Sequence, residues 1–194
     1  MEKLTRDTLY SLEEYSNMRN DFRKKVMEHK KHRKVGIGPH ASLYFEDTLT
    51  MQYQVQEMLR AEKIFEADGI EEELAAYNPL IPDGSNWKAT FMIEYDDAEE
   101  RKVALQRMVG IEDRVWVQVE GYDRVFAIAD EDLERDTQDK TSSVHFLRFE
   151  LSDPMIAAVR EGARLSMGID HINYKHSVDA VEDNVRESLS RDLH

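Results

Sequence analysis

The stretch Lys88–Tyr95, KATFMIEY, is where the period of the chain changes. Ala89, Phe91, Ile93 and Tyr95 alternate with Lys88, Thr90, Met92 and Glu94. Apolar and polar side chains alternating at period two make a half-buried strand. Upstream, apolar residues recur instead at steps of three and four. Over Leu12–Lys34 they are Tyr15, Met18, Phe22, Val26 and Met27, one stripe of an amphipathic helix. Ser11 and Glu14 stand at its start in capping-box spacing. From Thr48, TLTMQYQVQEMLRAEKIFEA repeats the helical pattern, with Met51, Val55, Met58, Leu59, Glu62 and Phe65 along one side and Gly69 as its stop. Between the two helices, Val35 and Ile37, then Leu43 and Phe45, alternate across Gly-Pro-His-Ala as a hairpin. A short helix, GIEEELAAYN, and the loop PLIPDGSN lead into the strand at Lys88.

Downstream the same alternation returns. A helix at Ala98–Val109 precedes Val115, Val117 and Val119, which connect through EGYDR to VFAIAD as a second hairpin. HFLRFEL is apolar on both faces except at His145, Arg148 and Glu150, and reads as a central strand. A helix at Pro154–Glu161, a strand through Leu165, Met167 and Ile169, and a peripheral helix in VDAVEDNVRESLSRDL follow. The class is α+β: an N-terminal helical half packed on a mainly antiparallel β-sheet with inserted helices. One domain is expected over 1–194, with 1–86 mainly helical, 87–177 mainly β and 178–194 a C-terminal helix.

The chain has 194 residues, no cysteine and a formal net charge of −14. Without cysteine there is no disulfide, no thiolate metal site and no cysteine-ligated iron–sulfur cluster. The opening MEKLTRDTLYSLEEYSNM is charged from its second residue and does not read as a signal peptide. No apolar run reaches membrane-spanning length. A cytoplasmic protein that avoids both membranes and nucleic acid is expected, since a net negative chain repels polyphosphate. The glycine fingerprint of a dinucleotide site, a P-loop and a nucleophile elbow are all absent.

Against this acidic background, Phe22–His40 is basic. Arg23, Lys24, Lys25, Lys30, Lys31, Arg33 and Lys34 face one acid, Glu28. They form either a solvated helix face or a surface that docks a partner. In the same segment His29 and His32 are three apart on the predicted helix, with His40 beyond the turn. With His145 they are the pool for an iron, manganese or zinc site. The neighbouring lysines oppose a cation there, and exposed histidines are the plainer reading. His145, on a buried strand, is either a satisfied core histidine or a ligand. Arg148 and Glu150 share a strand face. They either pair with helix residues such as Glu57 and Arg60 or line a polar pocket with them. Asp83, Ser85 and Asn86 in the proline-stiffened loop are a second ligand-binding candidate. Methionines 51, 58, 92 and 167 read as core filler.

The segments HKKHRKVGIGPHASLYFEDTLTMQYQVQEMLRAEKIF, AAYNPLIPDGSNWKATFMIEY, GIEDRVWVQVEG and AIADEDLERDTQDKTSSVHFLRFEL resemble the bacterial DUF3501 family, a domain of unknown function, over nearly the whole chain. The resemblance implies a setting beside rubrerythrin-like di-iron proteins and an iron–sulfur oxidoreductase, hence oxidative-stress metabolism. It supplies no catalytic residues. The leading expectation is therefore a non-catalytic accessory or partner-binding protein of a redox system, with rubrerythrin-like or iron–sulfur oxidoreductase partners and a homodimer among the assemblies it allows. The alternatives are a His/carboxylate metal protein or metal-dependent enzyme, and a small-ligand pocket protein.

Overall fold

The computed structural model describes all 194 residues, Met1–His194. In order the elements are α1 (Leu12–Lys31), β1 (Lys34–Gly36), β2 (Ala41–Phe45), α2 (Thr48–Ala61), α3 (Ala67–Tyr77), β3 (Asn86–Ile93), α4 (Ala98–Arg107), β4 (Val115–Val119), β5 (Val125–Phe126), β6 (Ile128–Ala129), β7 (Val144–Glu150), α5 (Asp153–Arg160), β8 (Leu165–His171), β9 (Tyr174–Val178) and α6 (Asp183–Ser190). The class is α+β. The strands divide into two antiparallel sheets, however, where the periodicity alone points to one. One sheet has the order β1-β2-β3-β7-β6 and the other β5-β4-β8-β9. The chain crosses between them at Ala127, because β5 pairs with β4 and β6 pairs with β7.

The alternation in β3 positions everything else. Trp87, Ala89, Phe91 and Ile93 are buried and share one apolar core with Val115, Val117, Leu165 and Met167 of the second sheet. Lys88, Thr90 and Met92 are half-buried on the opposite face, on the side of the helical layer. That layer has small cores of its own. Tyr15, Phe22 and Val26 of α1 form one, with Tyr15 and Phe22 edge-to-face at 6.0 Å. Met51, Val55, Leu59, Leu74 and Ile81 form another between α2 and α3. Ser11 and Glu14 do make the reciprocal capping box of α1.

Three expectations change. The second long helix stops at Ala61, because Lys63 takes a left-handed φ of 54°, and Gly69 lies inside α3. Phe65 is consequently 73% exposed and is no part of the stripe. The C-terminal helix is not peripheral: Val185, Leu189 and Leu193 enter the sheet core, and the Leu189 carbonyl accepts the Trp87 indole N–H at 3.0 Å. Strand β9 was not expected, because YKHSV buries only Tyr174 and shows no alternation.

Arg33 fastens the C-terminal end of the chain to the end of β2 and the start of α2. It is 2% exposed, and its Nη2 donates to Asp192 Oδ2 at 2.5 Å. Its Nε donates to the Phe45 carbonyl and lies 3.4 Å from Asp47, which also meets His29 Nε2. Burial pushes the Asp192 carboxyl up to about 6 even opposite this guanidinium. Removing one partner of such a group leaves an uncompensated buried charge. Arg33→Ala should therefore lower the free energy of urea unfolding by about 3–5 kcal/mol. Lys24→Ala, on the exposed face of α1, should change it by less than about 0.5 kcal/mol. Similar small losses in both variants would show that the fold does not depend on Arg33.

Candidate metal centre

His145 is the second residue of β7 and points inward with Leu147 and Phe149, fully buried. Both ring nitrogens are engaged. Nδ1 lies 2.5 Å from Asp130 Oδ2, and Nε2 lies 2.8 Å from Thr141 Oγ1 and 3.1 Å from the Ser142 carbonyl. Asp130 has a left-handed φ of 49°, a conformation aspartate tolerates better than most residues. Its Oδ1 accepts from the Phe146 N–H at 3.0 Å and from Arg135 at 2.9 Å. The chain from 131 to 143 has no helix or strand. It returns to bring Asp136 and Thr141 over the imidazole. The N–H of Gly110, itself at φ 80°, holds Asp136 Oδ2 at 2.8 Å. Glu112 arrives on the 3-10 turn Ile111–Arg114 ahead of β4, drawn inward by the fully buried Ile111.

Glu112, Asp136 and His145 each offer one donor atom, and all three lie within 4.8 Å of one another. His145 Nε2 is 3.8 Å from Asp136 Oδ1 and 3.9 Å from Glu112 Oε2. Glu112 is 8% exposed, and its Oε2 has no hydrogen-bond partner. A buried acceptor left unpaired costs about 1–3 kcal/mol, and more when charged. Burial pushes the Glu112 carboxyl up to about 7, and the Asp136 charge, a carboxyl–carboxylate hydrogen bond to Asp136 and the Asp113 charge act in the same direction, so that Oε2 lacks a partner only when Glu112 is ionised. Two carboxylates this close hold a proton or a cation between them. One imidazole with two carboxylates suits zinc, iron or manganese. Asp130 on Nδ1 is the outer carboxylate that orients a ligating histidine. Thr141 Oγ1 touches both His145 Nε2 and Asp136 Oδ1, and so places a further oxygen at the same point.

Of the four histidines considered from sequence, only His145 lies here. His29 meets Asp47, His32 Nδ1 meets the Asn184 amide, and His40 stacks on Tyr95 with its centroid 3.8 Å away. The polar-pocket candidates occupy one another. Arg148 bridges Glu131 and Glu150, and Glu150 accepts from Ser85 and Asn86. Asp83 is held by Lys3 and Lys88. Glu57 receives Arg19 and the Tyr15 hydroxyl, and Arg60 is exposed, so neither meets the Arg148–Glu150 pair. Of the basic segment, Arg23, Lys24 and Lys25 are exposed, Arg33 is buried, and Lys30, Lys31 and Lys34 border the sheet. Glu112 and Asp136 escape a sequence reading, because they come from distant segments and share no spacing. The acid run Asp130–Asp136 is the one visible signal, and by itself it reads as solvated charge.

The Glu112 environment carries a pH signature. A carboxyl held near 7, against an ordinary value of 4.5, is favoured by the fold in its protonated form. That contribution is fully present below about pH 4.5 and is lost as pH rises through about 7. Glutamine cannot ionise, while Asp136, Asp113, Asp130, His145 and Arg135 around it stay unchanged. In chelator-treated protein, Glu112→Gln should lose less Tm than the parent between about pH 5 and pH 8. Parallel Tm profiles for the two proteins would show that burial does not perturb Glu112.

The fold as a whole matches a known structure. A crystal structure of a protein of unknown function from Burkholderia pseudomallei K96243 is 53% identical, covers 100% of both chains and gives a TM-score of 0.95. No curated protein matches the chain. The model of the protein family of unknown function DUF3501 matches residues 3–193. With nearly every residue inside that match, the chain belongs to the DUF3501 family.

Proposed function

We propose that this protein binds one divalent transition-metal ion, iron, manganese or zinc, through Glu112, Asp136 and His145. The observation that carries the proposal is Glu112 Oε2, a buried carboxylate oxygen with no partner that faces two further donor atoms. A cation there satisfies that oxygen and neutralises the pair of carboxylates. It also ties the irregular segment 131–143 to the turn before β4 and to β7. The Asp136 side chain is 15% exposed, so the site meets solvent on one side. Three protein ligands with one open side is the composition of a metal site that can also take a water or a small oxygen ligand. A redox accessory role is the second reading. It draws on the exposed cations Arg23, Lys24 and Lys25 of α1, which could steer an acidic partner, and it leaves the metal site intact.

Elemental analysis of untagged protein tests the proposal. About one iron, manganese or zinc ion per chain is expected. His145→Ala, Glu112→Gln and Asp136→Asn should each lose it, while His29→Ala, His32→Ala and His40→Ala should keep it. Stripped protein should regain Tm when the same ion is added back. Segment 131–143 should also become resistant to protease on metal addition. Protein that purifies without metal, and whose Tm none of the three ions raises, would overturn the assignment.

A further inference from the structure

The helical layer does not seat on the five-stranded sheet along its whole length. A cleft of about 960 Å³ separates α1 and α2 from the outer face of that sheet. Small-molecule sites typically enclose roughly 300–1,000 Å³, whereas packed interiors rarely leave a void larger than a water molecule. Strand register lays the floor in two rows. Lys34, Tyr44, Thr90 and Phe146 are successive partners across β1, β2, β3 and β7. Gly36, Ser42, Met92 and Val144 form the next row. Met27 of α1 and Met51 of α2 lie over them. Thioether side chains of this kind adapt to varied apolar shapes.

Gly36 is exposed where edge strand β1 meets the cleft. A Cβ added there would meet no atom within 4 Å, and the backbone is not in the left-handed region that favours glycine. Neither crowding nor conformation requires glycine at this strand position, where it weakens pairing. A strand glycine marks a bulge, a bend, or the close approach of a ligand or another backbone, and Gly36 lines the cleft.

The cations of the cleft gather at one end. Lys30, Lys31 and Lys34 line it. Lys31 is paired with Glu28, but Lys30 and Lys34 lie over the Tyr53 and Tyr44 rings at 5.7 and 5.1 Å and make no ion pair. The acids that line the cleft are held by neutral hydroxyls, and Glu94 also acts on Lys34, which leaves Lys30 as the cation with no acid partner. Glu46 accepts hydroxyl hydrogen bonds from Thr50 and Thr90, and Glu94 from Ser42 and Tyr44. We infer that the cleft binds a linear amphiphile, its apolar chain lying over Met27, Met51, Met92 and Phe146 and its anionic head meeting Lys30 and Lys34. This inference is independent of the metal site.

Calorimetric titration and thermal shift test it with monomeric dodecanoate and dodecyl phosphate, compared with dodecanol and dodecyltrimethylammonium. Both anions should bind and raise Tm, and the tighter of the two identifies the head group. Dodecanol should bind at least about ten-fold more weakly, since a charge-assisted contact is lost. The Lys30→Ala, Lys34→Ala double variant should weaken dodecanoate by a similar factor. Gly36→Leu introduces a side chain into open space and should abolish binding while keeping the circular dichroism of the parent. Should that variant fail to fold, the lysine variant and the ligand series still decide. Equal binding of the trimethylammonium compound, undiminished binding by folded Gly36→Leu, or no binding by either anion would overturn the inference.

Discussion

The pairing of β3 with β7 is the constraint on which the rest of the molecule depends. A strand shows alternate residues to opposite faces, so a slip of one residue exchanges the faces entirely. Here the register sets Phe91 opposite His145 and Thr90 opposite Phe146. Phe91 and His145 therefore lie on the core side, while Thr90 and Phe146 lie toward the helices. His145 of the candidate metal centre and Phe146 of the cleft floor are thus two adjacent residues of one strand. A register shifted by one would expose the imidazole to the cleft and press a phenyl ring into the carboxylates. The apolar demand of the core, met by Trp87, Ala89, Leu147 and Phe149, excludes that alternative.

Burial of charge follows one rule across the molecule, with one exception. Arg33 is buried with Asp47 and Asp192, and Arg135 reaches Asp130 and Asp132. His145 has a partner at each nitrogen. The two arginines satisfy the requirement that a charge withdrawn from water be paired and hydrogen-bonded, and the polar atoms of the imidazole are hydrogen-bonded in turn. Glu112 when ionised does not, since no donor group reaches its buried Oε2 and its neighbour Asp136 is a second acid. The exception stands beside a fully supported histidine and a second carboxylate. A random packing defect would not be expected to have its neighbours so well oriented, with Asp130 itself fixed by Arg135 and the Phe146 N–H. Second-shell order of this kind is what a ligand set needs.

What could be read from the sequence was local. The alternation of KATFMIEY, the Ser11–Glu14 box and the hairpin around Gly38-Pro39 depend on residues near one another, and the structure holds them as expected. The division into two sheets turns on Ala127, where nothing in the local pattern announces a change of partner. Arg33 looked like one cation in a basic run, because its partner Asp192 lies at the far end of the chain. The same distance hides the candidate donors: the turn at Glu112, the irregular stretch holding Asp136 and the strand of His145 are far apart in sequence and come together only in the folded chain. Gly36 was read as part of a hairpin. Its empty surroundings become visible only once the helices stand off the sheet.

The two sites are separated by very little protein. Arg135, adjacent to the metal donor Asp136, places its guanidinium 4.7 Å from the centroid of the Phe146 ring. Phe146 forms one end of the cleft's first floor row. Arg135 is itself held by Asp130, the carboxylate behind His145. The order of segment 131–143 and the shape of that wall are therefore set by the same short set of contacts. Were a cation to fix Asp136, it would act on its chain neighbour Arg135 and through that guanidinium on Phe146, the one contact by which the inner face of the sheet would bear on the cleft.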